Sequence, residues 1–443
     1  MSTSPRIDTK PEVPLKALII GHGCNPYTSS EPGLTWNWAS YMSDYCSVHL
    51  IAHPQNREEV NRFLADNPRP NLKIHWVDVS SPLDYWNPKR GDRGIRFHYV
   101  MWLRNACKYA LALQKRERFD VVHHVGWGTC SVPSPFWKLE VPLIWGPLGG
   151  GQAPPRGLMP LFGWLRWKES LRTLWLRLLP LTPALRRAVD RTAVVLTTNR
   201  ETAHLLSSAG APSVVSMLDN ALRQTSYPVE PKRSAIPKRI NLLWAGRLVR
   251  WKGLDLALAA MKQVGSGAHV RLTIAGDGPR RKDFESSVQR LGLNAVVTFR
   301  GRVPWEAMSK TFVESDAFLF TSLRDSFGSV VLEAAAYSLP VITLDIGGAG
   351  TFLPAAAAIK IIPSTVRTTA SAIAAAILRL RDDPQLRRDM GDAARQFAES
   401  MQWEKHAETM WRIYVEASGR KESQVGYEDP YCSQQIQDPR RRG

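Results

Sequence analysis

The sequence predicts an α/β protein with two Rossmann-like domains facing each other across a cleft, and three observations carry that expectation. Short apolar runs ending in glycine or loop residues alternate with helical patterns, the signature of parallel strands joined by crossover helices. The alternation breaks once, between Arg223 and Arg239, where three prolines interrupt a stretch without apolar periodicity, and then starts afresh. The length of 443 residues suits two or three domains, at roughly 100 to 200 residues each.

In chain order, residues 1–14 form a polar N-terminal tail without the apolar core of a signal peptide. Residues 15–222 form the first domain, with strands expected at Leu15–Ile20, Val48–Ala52, Lys73–Val77, Asp120–His123, Leu143–Trp145 and Ala193–Thr197, and helices at Trp36–Tyr45 and His98–Glu117. Residues 223–239 are the linker. Residues 240–400 form the second domain, with strands expected at Ile240–Ala245, Val270–Ala275, Val296–Phe299, Ala317–Thr321 and Val341–Leu344. Asp383-Pro384 marks a helix start, Trp403–Ala417 (within 401–418) is a closing amphipathic helix, and residues 419–443 lack any apolar repeat and read as a disordered tail.

Composition narrows the function classes. With 44% hydrophobic and 22% charged residues the chain is globular, neither collagen-like nor coiled coil. Its five cysteines are odd in number and far apart, without zinc-finger spacing, which suits a reducing cytosol. No apolar run reaches the roughly 18 residues of a membrane-spanning helix, so a cytoplasmic protein is expected. The formal charge of +18 attracts polyanions: nucleic acid, nucleotides or anionic lipid. No nucleic-acid module supports the first. Residues 156–191 carry eight basic side chains (Arg156, Arg166, Lys168, Arg172, Arg177, Arg186, Arg187, Arg191) against Glu169 and Asp190, with Trp164, Trp167 and Trp175 among them. That segment reads equally as a peripheral contact with an anionic inner membrane or as a domain helix with its tryptophans in the core.

Three stretches carry the chemistry. From Ser322 a strand end leads into a loop with Asp325 and Gly328 and then a helix from about Ser329, with Glu333 one turn inside it. Free N–H groups at such a helix start present partial positive charge to an anion, and Glu333 can accept bonds from both hydroxyls of a ribose. As a lone feature it is equally a favourable acid in a first turn. From Trp244 to Asp255, strand, basic loop and helix recur, with Arg247 offering a planar fork for phosphate and Lys252 a point charge. Ile274 to Pro279 is a glycine turn off a strand end.

The order and spacing of these stretches resemble the retaining glycosyltransferases of family four, which have the GT-B fold. Asp325 and Glu333 match the family's E-x7-E motif, with aspartate in place of the first glutamate, and Arg247 and Lys252 match its diphosphate-binding pair. The resemblance implies that Asp325 approaches the donor sugar, that Glu333 holds the ribose, and that Ser326, Phe327 and Gly328 contribute to the donor site. In the first half, Cys24 to Trp36 is similar to the family's glycine loop and assigns Gly33 to the donor, although Thr35 stands where a second glycine is usual. Asp120 to His124 resembles a strand followed by a sugar-lining histidine, which leaves His123 or His124 as the catalytic-site candidate. The closing helix is implied to cross back to the first domain. Together these imply a nucleotide-sugar-dependent transferase acting on an unidentified glycan or lipid-linked acceptor, without a cofactor or metal ion. A nucleotide-sugar epimerase of the same fold and a non-catalytic polyanion-binding protein are the alternatives.

Overall fold

The computed structural model describes residues 15–28, 31–79, 86, 94–223 and 239–420. The expected N-terminal tail, the C-terminal tail beyond Arg420 and most of the linker lie outside these described residues.

The first domain is a seven-stranded sheet in the order β3-β2-β1-β4-β5-β6-β7, with every pairing parallel. Its strands are β1 Lys16–Ile20, β2 Ser47–Ala52, β3 Leu72–Trp76, β4 Val121–His124, β5 Leu143–Leu148, β6 Val194–Thr197 and β7 Val214–Ser216. Its helices are α1 Glu31–Met42, α2 Arg57–Asp66, α3 Ile95–Glu117, α4 Arg166–Leu178, α5 Pro183–Asp190 and α6 Arg200–Ser208. The second domain is a six-stranded parallel sheet, β10-β9-β8-β11-β12-β13. It comprises β8 Ile240–Ala245, β9 Val270–Ala275, β10 Val297–Gly301, β11 Ala317–Phe320, β12 Val341–Leu344 and β13 Ala358–Ile361. Around it lie α7 Leu254–Val264, α8 Arg281–Leu291, α9 Trp305–Val313, α10 Ser329–Ala336, α11 Gly347–Phe352, α12 Val366–Asp382 and α13 Pro384–Ser400. The central strands β4, β11 and β12 are buried along their whole length, as expected for parallel strands covered on both faces.

Four elements differ from expectation. The first helix starts at Glu31 rather than Trp36 because Pro32 suits a first helical turn. β7 and β13 escaped the pattern because each is a short edge strand, neither being a long apolar run nor a clean alternation. β5 continues through Gly146-Pro147, which reads as a turn in sequence.

The last helix, α14 Trp403–Ala417, packs on α1: the Trp403 ring meets Trp38 edge-on at 5.1 Å. Leu222 N–H donates to Met401 O and Trp403 N–H to Leu222 O, tying the chain before the linker to the start of α14. Strand order reverses at β1/β4 in one sheet and at β8/β11 in the other. Crevices at such reversals, outside the carboxyl ends of the strands, are where open α/β sheets bind ligands.

Candidate active site

The loops after β8 and β11 lie against each other at the second sheet's reversal. Leu323 N–H and the Ser322 hydroxyl both donate to Trp251 O, at 2.8 and 3.2 Å, and the Arg324 guanidinium lies over the Trp251 ring at 4.9 Å. This backbone clamp brings Lys252 Nζ to 2.5 Å from Asp325 Oδ2, a pair only about one-fifth exposed. Arg247, on the same loop, is exposed. Asp325 is followed by Ser326, Phe327 and then Gly328, whose φ of 93° favours glycine and which turns the chain into α10. No side chain caps that helix start, although Val331 N–H already donates to Gly328 O at 2.9 Å.

Glu333, in the second turn of α10, is half-buried, and desolvation pushes its carboxyl up to about 7. The structure thus gathers Lys252, Asp325 and the α10 start at one point, with Glu333 along the helix and Arg247 at the open edge. The Phe327 ring is buried beside Phe352 and Phe397 in the domain core, so a donor would meet its backbone and not its ring. The glycine turn after β9 supports its neighbour loop, Leu248 N–H donating to Asp277 O at 2.9 Å.

The first domain closes on this point. Gln152 Nε2 donates to Arg324 O at 3.2 Å, Glu169 pairs with Arg324 at 3.2 Å, and a Cβ on Gly149 would stand 2.0 Å from Ser326 Oγ. Arg172, reaching in from α4, holds the turn by donating to Gly150 O and Gln152 O, both at 3.0 Å. Desolvation lowers its guanidinium to about 10.

The two candidate histidines lie inside the first domain. His123 and His124 end β4 and are 0% and 1% exposed. His123 is bonded on both ring nitrogens, to the Tyr414 hydroxyl of α14 and to Gly146 O, each at 2.8 Å. His124 points to the other face, where Nε2 lies 3.3 Å from the Tyr99 hydroxyl and the ring meets Phe136. Burial lowers them to about 4 and about 3. Both are therefore neutral near neutral pH, and His124 Nδ1 is buried without a hydrogen-bond partner among the described residues. Gly33 lies inside α1 rather than in a donor loop, and its missing side chain admits the Thr28 carbonyl, 1.8 Å from where a Cβ would sit.

Two carboxylates that sequence reasoning passed over flank the first sheet's reversal. Glu31, at the start of α1, and Asp219 line one small cavity with Gly126, Gly128 and Pro147. Desolvation raises Glu31 to about 8, with Asp219 adding to the rise, and Asp219 itself to about 6. Only the fold reveals them, since Glu31 and Asp219 are far apart in sequence. Among the described residues one cluster has potential metal ligands, His22, His53 and His98.

Residues 228–397 match the sequence profile of the family described as glycosyl transferases group 1. Over 192 residues the chain is 30% identical to the phosphatidylinositol N-acetylglucosaminyltransferase GPI3 subunit of Saccharomyces cerevisiae, covering 42% of this chain and 42% of that relative. The match thus spans less than half the length of that curated relative. Among solved structures, sucrose-phosphate synthase from Thermosynechococcus elongatus superposes with a TM-score of 0.63 at 18% identity, over 91% of this chain and 98% of the other. HepE of Anabaena in complex with UDP and glucose superposes with 0.56 at 15%, over 91% and 100%. The fold is GT-B, and the match to glycosyl transferases group 1 is confined to residues 228–397.

Proposed function

We propose that this chain is a retaining glycosyltransferase that moves a sugar from a nucleotide-sugar to an acceptor held at an anionic membrane surface. The Lys252–Asp325 pair beside an uncapped helix start carries the reading. Cleavage of the donor leaves a nucleoside diphosphate with new negative charge, and cations and N–H dipoles fixed in advance around it lower the barrier directly. Lys252, Arg247 and the start of α10 supply them, and Glu333 accepts the ribose hydroxyls. Without a donor, Asp325 neutralises Lys252. An arriving diphosphate competes for the ammonium and leaves the Asp325 carboxylate to face positive charge growing on the sugar ring. A panel of nucleotide-sugars, scored for nucleoside diphosphate release with and without lipid extract, tests the reading. Release from no donor sinks it, and sugar interconversion without an acceptor indicates an epimerase.

The membrane part rests on α4. Trp167, Leu171, Leu174, Trp175 and Leu178 are spaced along one helical face, are all exposed, and continue to Trp164 and Leu181, which are 70% and 60% exposed. Arg156, Arg166, Lys168, Arg177, Arg186, Arg187 and Arg191 are exposed around them, whereas Arg172 turns inward. Apolar side chains ringed by cations suit an anionic bilayer surface. Among the described residues no helix is long and apolar enough to cross a membrane. The yeast relative's name specifies phosphatidylinositol, which supports a lipid-linked acceptor here. The subcellular compartment we propose is the cytoplasmic face of a membrane.

A further inference from the structure

We infer that His22, His53 and His98 bind one transition-metal ion, of the zinc class, that pins the acceptor-side wall of the cleft. None of these residues takes part in the donor chemistry above, and the family resemblance implied no metal ion.

The fold brings them together from three elements. His22 follows β1, His53 follows β2 directly, and His98 lies in the first turn of α3. Parallel pairing of β1 with β2 places the first two at the same sheet end, where His53 N–H donates to His22 O at 2.9 Å. All three are buried, and one ligand atom from each lies within 4.8 Å of the others. Their ring centroids form a nearly equilateral triangle: His22–His53 5.0 Å, His22–His98 5.0 Å and His53–His98 4.9 Å. Three imidazoles on one tetrahedral zinc, with Zn–N of about 2.0–2.1 Å, have centroids about 5 Å apart and nitrogens about 3.3 Å apart. His22 Nε2 and His98 Nε2 stand 2.9 Å apart, so a shift of a few tenths of an ångström admits the ion there. The His53 ring, stacked on His22 at 13° with Nδ1 accepting from Gln55 N–H at 3.3 Å, must turn out of that stack and release that bond to complete the face.

The chemistry of the set fits. All three imidazoles are buried and offer nitrogen donors to one point. Asp78, just beyond β3, has Oδ1 3.2 Å from His53 Nε2 while also accepting from Val79 N–H. Its carboxylate is mostly exposed, and on turning inward it supplies a fourth ligand and part of the charge balance. Trp102, Tyr99 and Trp127 surround His22 with ring centroids at 5.1 to 6.1 Å, a dry shell that strengthens metal–ligand attraction. Imidazole donors suit zinc, copper, nickel or iron, not magnesium or calcium. A closed, buried set of this kind is structural: it would join the ends of β1 and β2 to α3.

The test uses the full-length protein. After chelation and dialysis against zinc chloride, retained zinc of near one equivalent per chain is expected, with the melting temperature raised by zinc and unmoved by magnesium. Cobalt(II) in place of zinc should give the intense visible bands of a tetrahedral nitrogen-rich site. His22→Ala and His98→Ala should abolish retention, while His75→Ala, which removes a histidine outside the cluster, should not. If those two variants fold poorly, the cobalt spectrum of the unaltered protein still decides. No retained zinc, a weak octahedral cobalt spectrum, or retention unchanged in His22→Ala and His98→Ala would overturn the inference and leave a plain His98–His22 hydrogen bond.

Discussion

Asp325 carries one methylene fewer than the glutamate usual at the first position of E-x7-E, yet it reaches Lys252 at 2.5 Å, because the clamp of Leu323 and Ser322 on Trp251 draws the loop inward. A carboxylate placed this way serves the transition state more than the ground state. Asp325→Asn should therefore lower kcat far more than it changes affinity for the nucleoside diphosphate, and Asp325→Glu should retain more turnover than Asn. An Asn variant with near-normal kcat in steady-state assays would assign Asp325 to loop shape alone. Glu333 adds a pH signature. Its carboxyl is raised to about 7 by desolvation, and only the ionised form accepts from both ribose hydroxyls. Nucleotide affinity should fall as pH drops through about 7, and the step should vanish in Glu333→Gln, as followed by titration at several pH values. Motif spacing assigned Lys252 and Asp325 to one donor site but not to each other, because residues 73 apart share no local pattern. The fates of His123 and His124 were not legible either, because successive strand residues point to opposite faces and the sequence does not say which face is covered by α14 and which by Phe136.

At the scale of elements, α4 has two occupations. Its inner side, with Glu169, Arg172 and Leu176, grips Arg324 and the Gly150–Gln152 turn, and its outer side exposes Trp167, Leu171, Leu174, Trp175 and Leu178. The two should separate by mutation. Leu171→Glu with Leu174→Glu should lose flotation with anionic vesicles while release of nucleoside diphosphate in solution persists. Arg172→Ala should do the reverse, keeping flotation and lowering turnover. Each base near an anionic surface is worth about 1 kcal/mol, so Arg186→Glu with Arg187→Glu should weaken vesicle binding at least about thirtyfold. Equal flotation with neutral and anionic vesicles would contradict the membrane role. Sequence marked the segment as basic and tryptophan-rich but could not orient it, since its helix carries apolar residues on both sides.

Across the whole molecule, buried titratable groups set opposing pH limits. His123, His124 and His406 are neutral in the fold, lowered by burial to about 4, 3 and 4. Their unfolded value is about 6.5, so the unfolded chain binds more protons below that pH and stability is lost as pH falls toward 3. Glu31, Asp219 and Glu333 are raised by burial to about 8, 6 and 7. Against unfolded values of about 4, the fold holds extra protons and stability is lost as pH rises toward 8. The two sets oppose each other between about 4.5 and 6, giving a plateau, and beyond it each group costs about 1.4 kcal/mol per pH unit. Melting temperatures of the donor-free protein should decline from pH 6.5 to 8, and Glu31→Gln with Glu333→Gln should flatten that limb. A decline unaltered in the double variant would place its cause elsewhere. The alternation of strands and the single proline-rich break made the two sheets legible. The closure of one on the other through Arg324–Glu169 and Arg200–Asp345 was not, because ion pairs between separate domains leave no local pattern.

The central claim is that Lys252 and Glu333 build a nucleotide site at the second sheet's reversal, and calorimetric titration of the full-length protein with nucleoside diphosphates tests it most directly. Charge-assisted hydrogen bonds contribute about 1.5 to 3 kcal/mol each. One diphosphate should bind at one per chain, and Lys252→Ala and Glu333→Ala should each weaken it about ten- to a hundredfold with melting temperatures preserved. Saturable binding that is unchanged in both variants, or no binding of any nucleoside diphosphate, would contradict the claim.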